Sequence, residues 1–410
     1  MKTSAKLGLL ATLYLSQGLP FGFFTQALPA LMRERGVSLA AIGLTSLLAA
    51  PWALKFLWAP HVDAWGSARF GRRRSWIVPL QLGVAALLAA LAFVPDTSQH
   101  LALLVGAVLL TNLLCATQDI ATDGLAVELL GRHERGLGNG VQVAGYRLGM
   151  VIGGGALLLL FHHFGWAMTF GVAALIVLLA TLPILCWSEP SRAPAGLTAS
   201  RSTRPSLREF VARPGMQAWL LVLLTYKAGD ALATGMLRPF LIDAGLGLDE
   251  IGWLLGTAGF TAGLLGAVVG GWAVNHLGRR RSLVVFGLLQ ALAVGLYTVP
   301  ALAPHAVGVL YGVCVLEHFA GGLATAALFT AMMDRCHAGS AATDYTVQAS
   351  VVVLATGLAS TMSGLCAQAL GYAHHFAFAA FVAALGLVLA VFTSTEAVGG
   401  HRSALTDSSM

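Results

Sequence analysis

Ionisable side chains that lie inside otherwise apolar segments are the residues of this sequence that could carry out chemistry. They are Lys55, Asp119, Asp123, Arg147, Lys227, Asp230, Arg238 and Glu317, with His318 beside the last. A charge at the centre of a membrane-spanning helix costs about 2.5–3.5 kcal/mol on insertion scales, so each needs a partner or a function. Groups of this kind bind charged solutes or take up and release protons.

Two of the acids, Asp119 and Asp123, are four residues apart, so both project from one face of a helix. They repel each other unless a cation lies nearby or one of them is protonated. Lys55 and Arg147 are the available cations in the same half of the chain, and we expect Asp119 to pair with one of them. This pair is either a switch that moves a proton when it breaks or a static salt bridge between helices. For Asp123 we favour the static bridge.

The second half of the chain holds two further candidate proton sites. Lys227 and Asp230 are one helical turn apart, so they can pair with each other, or either can face a cavity. Glu317 and His318 are adjacent, and histidine titrates near neutral pH. Polar packing between helices is the alternative for that pair, and we favour it.

Neutral hydrogen-bonding side chains accompany these charges. They suit a polar substrate cavity, but such groups also join packed membrane helices. They are Gln17, Gln26, Gln118, Tyr146 and Tyr226. Arg33 and Arg238 lie near the ends of apolar runs, where we favour a side chain that reaches the membrane surface over one that attracts an anionic substrate.

The composition indicates a membrane protein. Of 410 residues, 57% are hydrophobic and 10% are charged, and the mean hydropathy is +0.78. Soluble domains contain about 25% charged residues. The composition therefore excludes a soluble enzyme, a disordered protein and a nucleic-acid-binding domain. The five cysteines are scattered and form no CxxC pair, which is typical of buried thiols and not of disulfides.

Twelve apolar runs are long enough to cross a bilayer as helices, which takes about 20 residues each. The sequence therefore predicts an all-α integral membrane protein with twelve transmembrane helices. The runs cover about 7–32, 39–60, 76–94, 101–125, 138–161, 166–187, 217–241, 251–274, 282–303, 307–333, 345–370 and 374–392. Close helix packing is predicted at three small-residue spacings, Gly149-x-x-x-Gly153, Gly259-x-x-x-Gly263 and Gly266-x-x-x-Gly270.

The distribution of Lys and Arg predicts the orientation of these helices, because cytoplasmic loops carry the excess of positive charge. With the N-terminus inside, eighteen of the 24 basic residues fall in cytoplasmic segments, and only Arg33 and Arg35 fall outside. Both termini are therefore expected in the cytoplasm. Residues 188–213 are rich in Ser, Pro and Arg and predict a cytoplasmic linker. It would join a six-helix bundle at 1–187 to a second at 214–393, followed by a polar cytoplasmic tail at 394–410.

The two halves of the chain repeat one motif. Gly71-Arg72-Arg73-Arg74-Ser75 recurs 207 residues later as Gly278-Arg279-Arg280-Arg281-Ser282. Each copy lies between the second and third predicted helices of its half. A duplicated six-helix unit favours two pseudo-symmetric bundles and transport by alternating access, in which one bundle rocks against the other.

The stretch from Gly271 to Arg281 resembles the signature loop of the major facilitator superfamily, G-x-x-x-D-x-x-G-R-R, with Asn275 in place of the acid. The first copy has Asp63, but seven residues separate it from its Gly-Arg-Arg. In that family the loop latches helices at the cytoplasmic face, so the resemblance implies a gate there. These departures lead us to expect weakened charge pairing. The residues implied are Asp63, Arg72, Arg73, Arg279 and Arg280.

Six further stretches resemble the peptide–acetyl-CoA transporter branch of the superfamily, which includes muropeptide permeases, endomembrane acetyl-CoA transporters and siderophore permeases. The similarity extends over nearly the whole chain. The stretches are Ser16-Gln17-Gly18-Leu19-Pro20, Lys55-Phe56-Leu57-Trp58-Ala59-Pro60, Gly71-Arg72-Arg73-Arg74, Gln118-Asp119-Ile120 with Asp123, Gly145-Tyr146-Arg147-Leu148-Gly149 and Tyr226-Lys227-Ala228-Gly229-Asp230-Ala231.

The resemblance implies a transporter in a bacterial inner membrane. The compact length looks more like the siderophore permeases, so we expect a proton-coupled importer of a siderophore or a ferric siderophore. A muropeptide permease of cell-wall recycling is the alternative, and a drug exporter is a third possibility. The sequence contains no G-x-S-x-G, H-E-x-x-H or Walker A motif, so we expect no enzyme activity. The expected partners are the small-molecule substrate, protons and membrane lipid. We expect no cofactor and no protein-bound metal, and we expect a monomer.

Overall fold

The computed structural model describes residues 1–34, 45–67, 69–94, 101–189, 206–303, 307–337 and 339–406. Arg35, the Arg33 side chain and residues 190–205 of the predicted linker lie outside this description, as do the side chains of the predicted tail. Within the described ranges the chain is helical and contains no β-strand, and a single isolated bridge joins Ser67 to Gly71. The all-α prediction is confirmed.

Among the described residues, nine helical stretches are long and apolar enough to cross a membrane. We label them α1 to α9 in chain order. They are Thr3–Ala27, Arg74–Ala92, Leu103–Leu129, Arg135–Cys186, Met216–Asp243, Gly252–Leu277, Arg279–Leu302, Gly308–Asp334 and Ala341–Phe392.

Two of these stretches, α4 and α9, are each 52 residues long, more than twice the length that crosses a bilayer. Each is interrupted by a glycine with a left-handed backbone, Gly165 at φ 74° and Gly371 at φ 75°. Glycine adopts this conformation without steric penalty, so it can end one helix and start the next. Both breaks fall where the apolar pattern predicts a boundary between two crossings.

The predicted second crossing, 39–60, is irregular in its described part. A 3-10 turn at Thr45–Ala49 leads into a short helix at Ala50–Leu54 and a second 3-10 turn at Lys55–Leu57. A last short helix follows at Ala59–Ala64. Its apolar helical part, Leu47–Leu57, is shorter than a full crossing, so the number twelve stays a prediction.

Several of the long stretches depart from α-helical geometry along their length. π-helical turns occupy Phe23–Ala27, Ile152–Ala156 and Gly252–Gly259. Such insertions are uncommon and are found often at functional sites. The stretch α5 is broken at Lys227, which separates the α-helix Met216–Tyr226 from Ala228–Asp243.

The described chain divides into two compact units. The first contains 1–132, 141–207 and 336–350, and the second contains 133–140, 208–335 and 351–410. Each unit has its own apolar core, around Leu19, Phe23 and Phe170 in the first and around Phe240, Tyr297 and Phe376 in the second. The predicted boundaries at 187 and 214 follow the sequence halves and stay a prediction.

Glycines bring helix backbones into contact in both units. A Cβ atom added at Gly149 would collide with Leu15 O, and one at Gly153 with Leu19 O, so α4 packs directly on α1. In the second unit a Cβ atom at Gly266 would collide with Phe319 O, between α6 and α8. The prediction that these glycine spacings serve close packing is confirmed there.

Candidate functional site

In the first unit, Lys55 lies at the centre of a buried charge cluster. It starts the 3-10 turn of the irregular segment and is 3% exposed. Its Nζ contacts Asp119 Oδ2 and lies 3.8 Å from Asp123 Oδ2, so one lysine faces both acids of α3. The prediction that Asp119 pairs with Lys55 or Arg147 is confirmed, with Lys55 as the partner. We call Lys55, Asp119 and Asp123 the Lys55 cluster.

Neutral donors complete the surroundings of Asp123. Tyr14 Oη donates to Asp123 Oδ1 at 2.8 Å, and Gln142 Nε2 donates to the same oxygen at 3.3 Å. Tyr345 Oη donates in turn to Gln142 Oε1 at 3.5 Å. Sequence reasoning missed these donors. The static bridge that we favoured for Asp123 fits this arrangement, because both of its oxygens have a partner.

The candidate glutamines of the first unit join helices. Gln17 Nε2 donates to Thr122 Oγ1 at 3.2 Å, which links α1 to α3. Gln118 Nε2 donates to Ser16 Oγ at 3.5 Å between the same helices. Both glutamines are at most 1% exposed. Their geometry therefore fits helix packing better than a substrate cavity.

Aromatic rings lie next to the Lys55 cluster. Tyr146 packs against Trp52 at 6.1 Å and against Phe21 at 5.7 Å between ring centroids. The Lys55 Nζ is 5.8 Å from the centroid of the Trp52 ring, within reach of a cation–π interaction. Arg147, the next residue after Tyr146, is half-buried.

In the second unit, Lys227 is placed by the break in α5. Its Nζ lies 2.8 Å from Asp230 Oδ2, donates to Gln290 Oε1 at 2.7 Å and reaches Gly321 O at 3.4 Å. Gln290 Nε2 donates back to Tyr226 O at 3.2 Å, so a side chain satisfies a carbonyl beside the break. The pairing of Lys227 with Asp230 within one helix is confirmed. The role of Gln290 was missed, although it is a lone amide in an apolar run.

Glu317 of α8 belongs to the same cluster and is 3% exposed. Its Oε2 lies 2.8 Å from His318 Nδ1 and accepts a hydrogen bond from Tyr297 Oη at 3.3 Å. Its carboxyl group also lies within hydrogen-bonding reach of Asp230. Two pairs that look separate in the sequence thus meet in space. We call Lys227, Asp230, Glu317 and His318 the Lys227 cluster.

Two other candidates of the second unit lie apart from this chemistry. The Tyr226 side chain is buried, and its Oη donates to Leu283 O at 2.8 Å, which is a helix-packing contact. Arg238 is exposed near the end of α5, as expected of a side chain that reaches the membrane surface.

The loop before α2 carries a second kind of charge network. Arg73 Nη2 pairs with Asp63 Oδ1 at 2.7 Å and with Glu128 Oε1 at 2.6 Å, and Arg72 joins Glu128 at 2.6 Å. Burial by itself lowers the pKa of the Arg73 guanidinium, but the charges of Asp63 and Glu128 outweigh it and raise that pKa above its usual value. The expectation of weakened pairing is wrong here, because Asp63 contacts Arg73 despite the longer spacing between Asp63 and the Gly-Arg-Arg motif.

Asp63 has a further contact that sequence reasoning missed. Its Oδ2 accepts the backbone N–H of Thr343 at 2.6 Å, and its Oδ1 accepts that of Ala342 at 3.3 Å. These residues form the first turn of α9, where unpaired N–H groups favour an anion. The Asp63 carboxylate therefore binds both the Arg73 guanidinium and the N-terminus of α9.

The second copy of the loop uses a different acid. Arg279 Nε pairs with Asp334 Oδ2 at 2.8 Å, and Arg135 Nη1 pairs with Asp334 Oδ1 at 2.8 Å. Asn275 Oδ1 accepts only a long bond of 3.4 Å from Arg279, and Arg280 is exposed. Weakened pairing at Asn275 is therefore observed, but Asp334 supplies the charge. The sequence signal for Asp334 was its position at the end of an apolar run, as for Glu128.

A family profile described as the Major Facilitator Superfamily matches residues 10–352. The chain belongs to the major facilitator superfamily. The matched range contains every residue of the Lys55 and Lys227 clusters. The chain is thus a multi-pass membrane transporter and not an enzyme.

Relatives within the superfamily cover nearly the whole chain. The anhydromuropeptide permease of Escherichia coli K12 is 29% identical over 385 residues, which are 93% of this chain and 78% of the relative. An uncharacterised protein of Haemophilus influenzae is 30% identical over 390 residues, 91% of each chain. A putative transporter of Rickettsia conorii, AmpG 4, is 26% identical over 391 residues, 92% of this chain and 94% of the relative.

Solved structures share the superfamily fold. The human organic anion transporter MFSD10 matches with a TM-score of 0.73 at 18% identity, over 95% of this chain and all 100% of the other. The transporter FucP matches with a TM-score of 0.71 at 14% identity, over 95% of this chain and 98% of the other. At these identities the likeness shows the fold alone.

These relatives change the substrate prediction. Siderophore import has no support among them, whereas the muropeptide alternative does. The inference from chain length to a siderophore therefore has no support.

Proposed function

We propose that this chain is a proton-coupled importer of anhydromuropeptides in the bacterial inner membrane. The observation that carries the proposal is the match to the anhydromuropeptide permease of Escherichia coli K12 over 93% of this chain. Relatives named as AmpG transporters, matched over similar shares of the chain, support the same substrate class.

The charge clusters support the coupling to protons. Each cluster has one lysine and two carboxylates, so its formal charge is −1 when both acids are ionised and histidine is neutral. Charges inside a membrane protein are costly and mark pathways for ions and protons. When one acid takes up a proton, the lysine has a single carboxylate as its partner and can attract a carboxylate of the solute. A peptide-bearing sugar supplies such carboxylates, which links proton uptake to solute uptake.

Uptake into spheroplasts tests the proposal. The chain is expressed in a strain that lacks its own muropeptide permease, and radiolabelled anhydromuropeptide and a ferric siderophore are offered in parallel. We expect the muropeptide alone to accumulate, and we expect a protonophore to abolish the accumulation. Siderophore uptake without muropeptide uptake would overturn the substrate, and muropeptide uptake that ignores the protonophore would overturn the coupling.

Variants of the two clusters sharpen the same assay. Asp119→Asn and Lys227→Ala are expected to insert into the membrane at normal levels but to lose transport. Glu209→Gln is the matched control, because Glu209 is exposed on the short helix Leu207–Ala212 and lies outside both clusters. Normal transport by Asp119→Asn would restrict Asp119 to a structural role.

A further inference from the structure

One carboxylate oxygen of the Lys227 cluster lacks a donor. Asp230 Oδ2 is bound by Lys227 at 2.8 Å, but Asp230 Oδ1 is buried and has no hydrogen-bond partner among the described residues. Leaving a buried acceptor unpaired is costly, and more so when the group is charged. Asp230 Oδ1 therefore needs a hydrogen that no described side chain donates.

Asp230 Oδ1 and Glu317 Oε1 both lie next to Gly321. A methyl group placed at Gly321 would lie 3.5 Å from Glu317 Oε1, 3.6 Å from Asp230 Oδ1 and 3.8 Å from Lys227 Nζ. Both oxygens thus border one small space beside α8. The two carboxyl groups are within hydrogen-bonding reach of each other, and neither can donate unless one carries a proton.

The remaining polar neighbours do not supply this donor. Glu317 Oε2 is the oxygen that His318 Nδ1 and Tyr297 Oη contact, at 2.8 and 3.3 Å. His318 Nδ1 also lies 2.9 Å from Cys314 O, which fixes it as a donor to both. Gln290 from α7 offers its oxygen to Lys227 and its amide to Tyr226. Within α5, the cation that contacts Asp230 is Lys227.

We propose that Asp230 and Glu317 form a proton-binding site in which one proton is shared between Asp230 Oδ1 and Glu317 Oε1. Two carboxyl groups in close contact bind one proton as a unit, because both cannot stay ionised side by side. The shared proton supplies the missing hydrogen bond and brings the summed charge of Lys227, Asp230 and Glu317 to zero.

The same geometry links the binding of the proton to the binding of the solute. Without the proton, two carboxylates carry charge near Lys227. With it, Asp230 and Glu317 satisfy each other, and Lys227 becomes available to a carboxylate of the solute. This link rests on the proposed function, whereas proton binding by the pair does not.

Infrared difference spectroscopy on the purified protein, without solute, tests proton binding directly. Between high and low pH we expect the carbonyl stretch of a protonated carboxylic acid to appear and to shift in D₂O. It should be lost in Asp230→Asn and also in Glu317→Gln, and kept in Glu209→Gln. Loss in Glu317→Gln alone would overturn the shared site, because the proton would then reside on Glu317. Persistence in both variants would overturn the assignment altogether.

Transport by Glu317→Gln tests the link. The variant is expected to exchange solute across the membrane at equilibrium but to lose accumulation driven by a proton gradient. A protein merely destabilised by the substitution would lose both, and elution from a size-exclusion column reports its folding. Gradient-driven accumulation by Glu317→Gln would overturn the coupling role. If the wild-type chain moves no muropeptide, the proposed function fails, while the infrared result still decides the proton site.

Discussion

The Lys55 cluster and the Lys227 cluster contain the same formal charges, one lysine and two carboxylates, but they differ in how these charges are satisfied. In the first, Lys55 lies against both acids, and Tyr14 and Gln142 donate to the free oxygen of Asp123. In the second, Lys227 contacts Asp230 Oδ2, and Asp230 Oδ1 has no hydrogen-bond donor among the described residues. Both lysines lie at interruptions of helical geometry.

The polar groups of the two clusters are therefore satisfied to different degrees. A buried network with every polar group paired holds helices in place, and removing any member leaves a charge uncompensated. A network that lacks one hydrogen can gain it and lose it again. The Lys55 cluster should therefore contribute more to stability, and the Lys227 cluster should take up a proton more readily. The following substitutions compare matched residues of the two units.

The largest expected effect is that of Lys55→Met. It leaves Asp119 and Asp123 buried on one helix face without a cation, and removing one partner of a buried pair costs about 3–5 kcal/mol of unfolding free energy. Lys227→Met should cost clearly less, because one proton between Asp230 and Glu317 relieves the repulsion. Equilibrium unfolding in detergent micelles, followed by circular dichroism, measures both losses.

A double variant controls for lost packing at Lys55. Lys55→Met combined with Asp119→Asn removes one charge of each sign and should recover a substantial part of the loss. Equal losses for Lys55→Met and Lys227→Met would contradict the distinction between the two clusters.

The next effect concerns the repeated arginine loops. Arg73→Ala should cost about 3 kcal/mol, because its side chain is 0% exposed and it leaves Asp63 and Glu128 without their shared partner. Arg279→Ala should cost about 1 kcal/mol or less, because its side chain is 21% exposed and Asp334 keeps Arg135. Thermal unfolding of the two variants side by side checks the order, and a larger loss for Arg279→Ala would reverse it.

Much of the fold followed from the sequence because lipid imposes simple rules. Apolar length predicted the long helices, and Gly165 and Gly371 fall at predicted boundaries. Charge pairs were predictable where few partners exist, as for Lys55 with Asp119, or where spacing sets the contact, as for Lys227 with Asp230. Charges are scarce inside membrane helices, so few residues can be the partner of any one of them.

Neutral partners could not be predicted in the same way. A helix that is apolar on all sides has no polar stripe to show which residues face a neighbour. Tyr14, Gln142 and Gln290 therefore gave no signal of the contacts that their packing creates. The siderophore prediction lacks support for another reason, since it rested on chain length, which has no physical connection to the chemistry of a solute.

The third comparison removes one hydroxyl from each cluster. Tyr14→Phe deletes the 2.8 Å bond to Asp123, and hydrogen bonds to charged groups contribute about 1.5–3 kcal/mol. Tyr297→Phe should cost about 1 kcal/mol, because its bond to Glu317 is longer, at 3.3 Å, and His318 still serves the same oxygen. Unfolding free energies measured under identical conditions test the order. Equal costs would show that the hydrogen bond from Tyr14 to Asp123 contributes no more to stability than the one from Tyr297 to Glu317.

The smallest single effect is expected at Gln81, which we compare with Gln290 of the other unit. Gln290→Leu removes a partner of Lys227 and the donor to Tyr226 O, so it should cost about 1.5–3 kcal/mol. Gln81→Leu should be nearly neutral. The Gln81 Oε1 is buried without a partner among the described residues, and its amide donates to Ser16 Oγ, which itself donates to Leu13 O. Replacing an unsatisfied amide by an apolar side chain of similar size removes a desolvation penalty along with one hydrogen bond. Gln81→Leu could instead destabilise the protein as strongly as Gln290→Leu. The charge on Lys227 would then not explain the importance of Gln290.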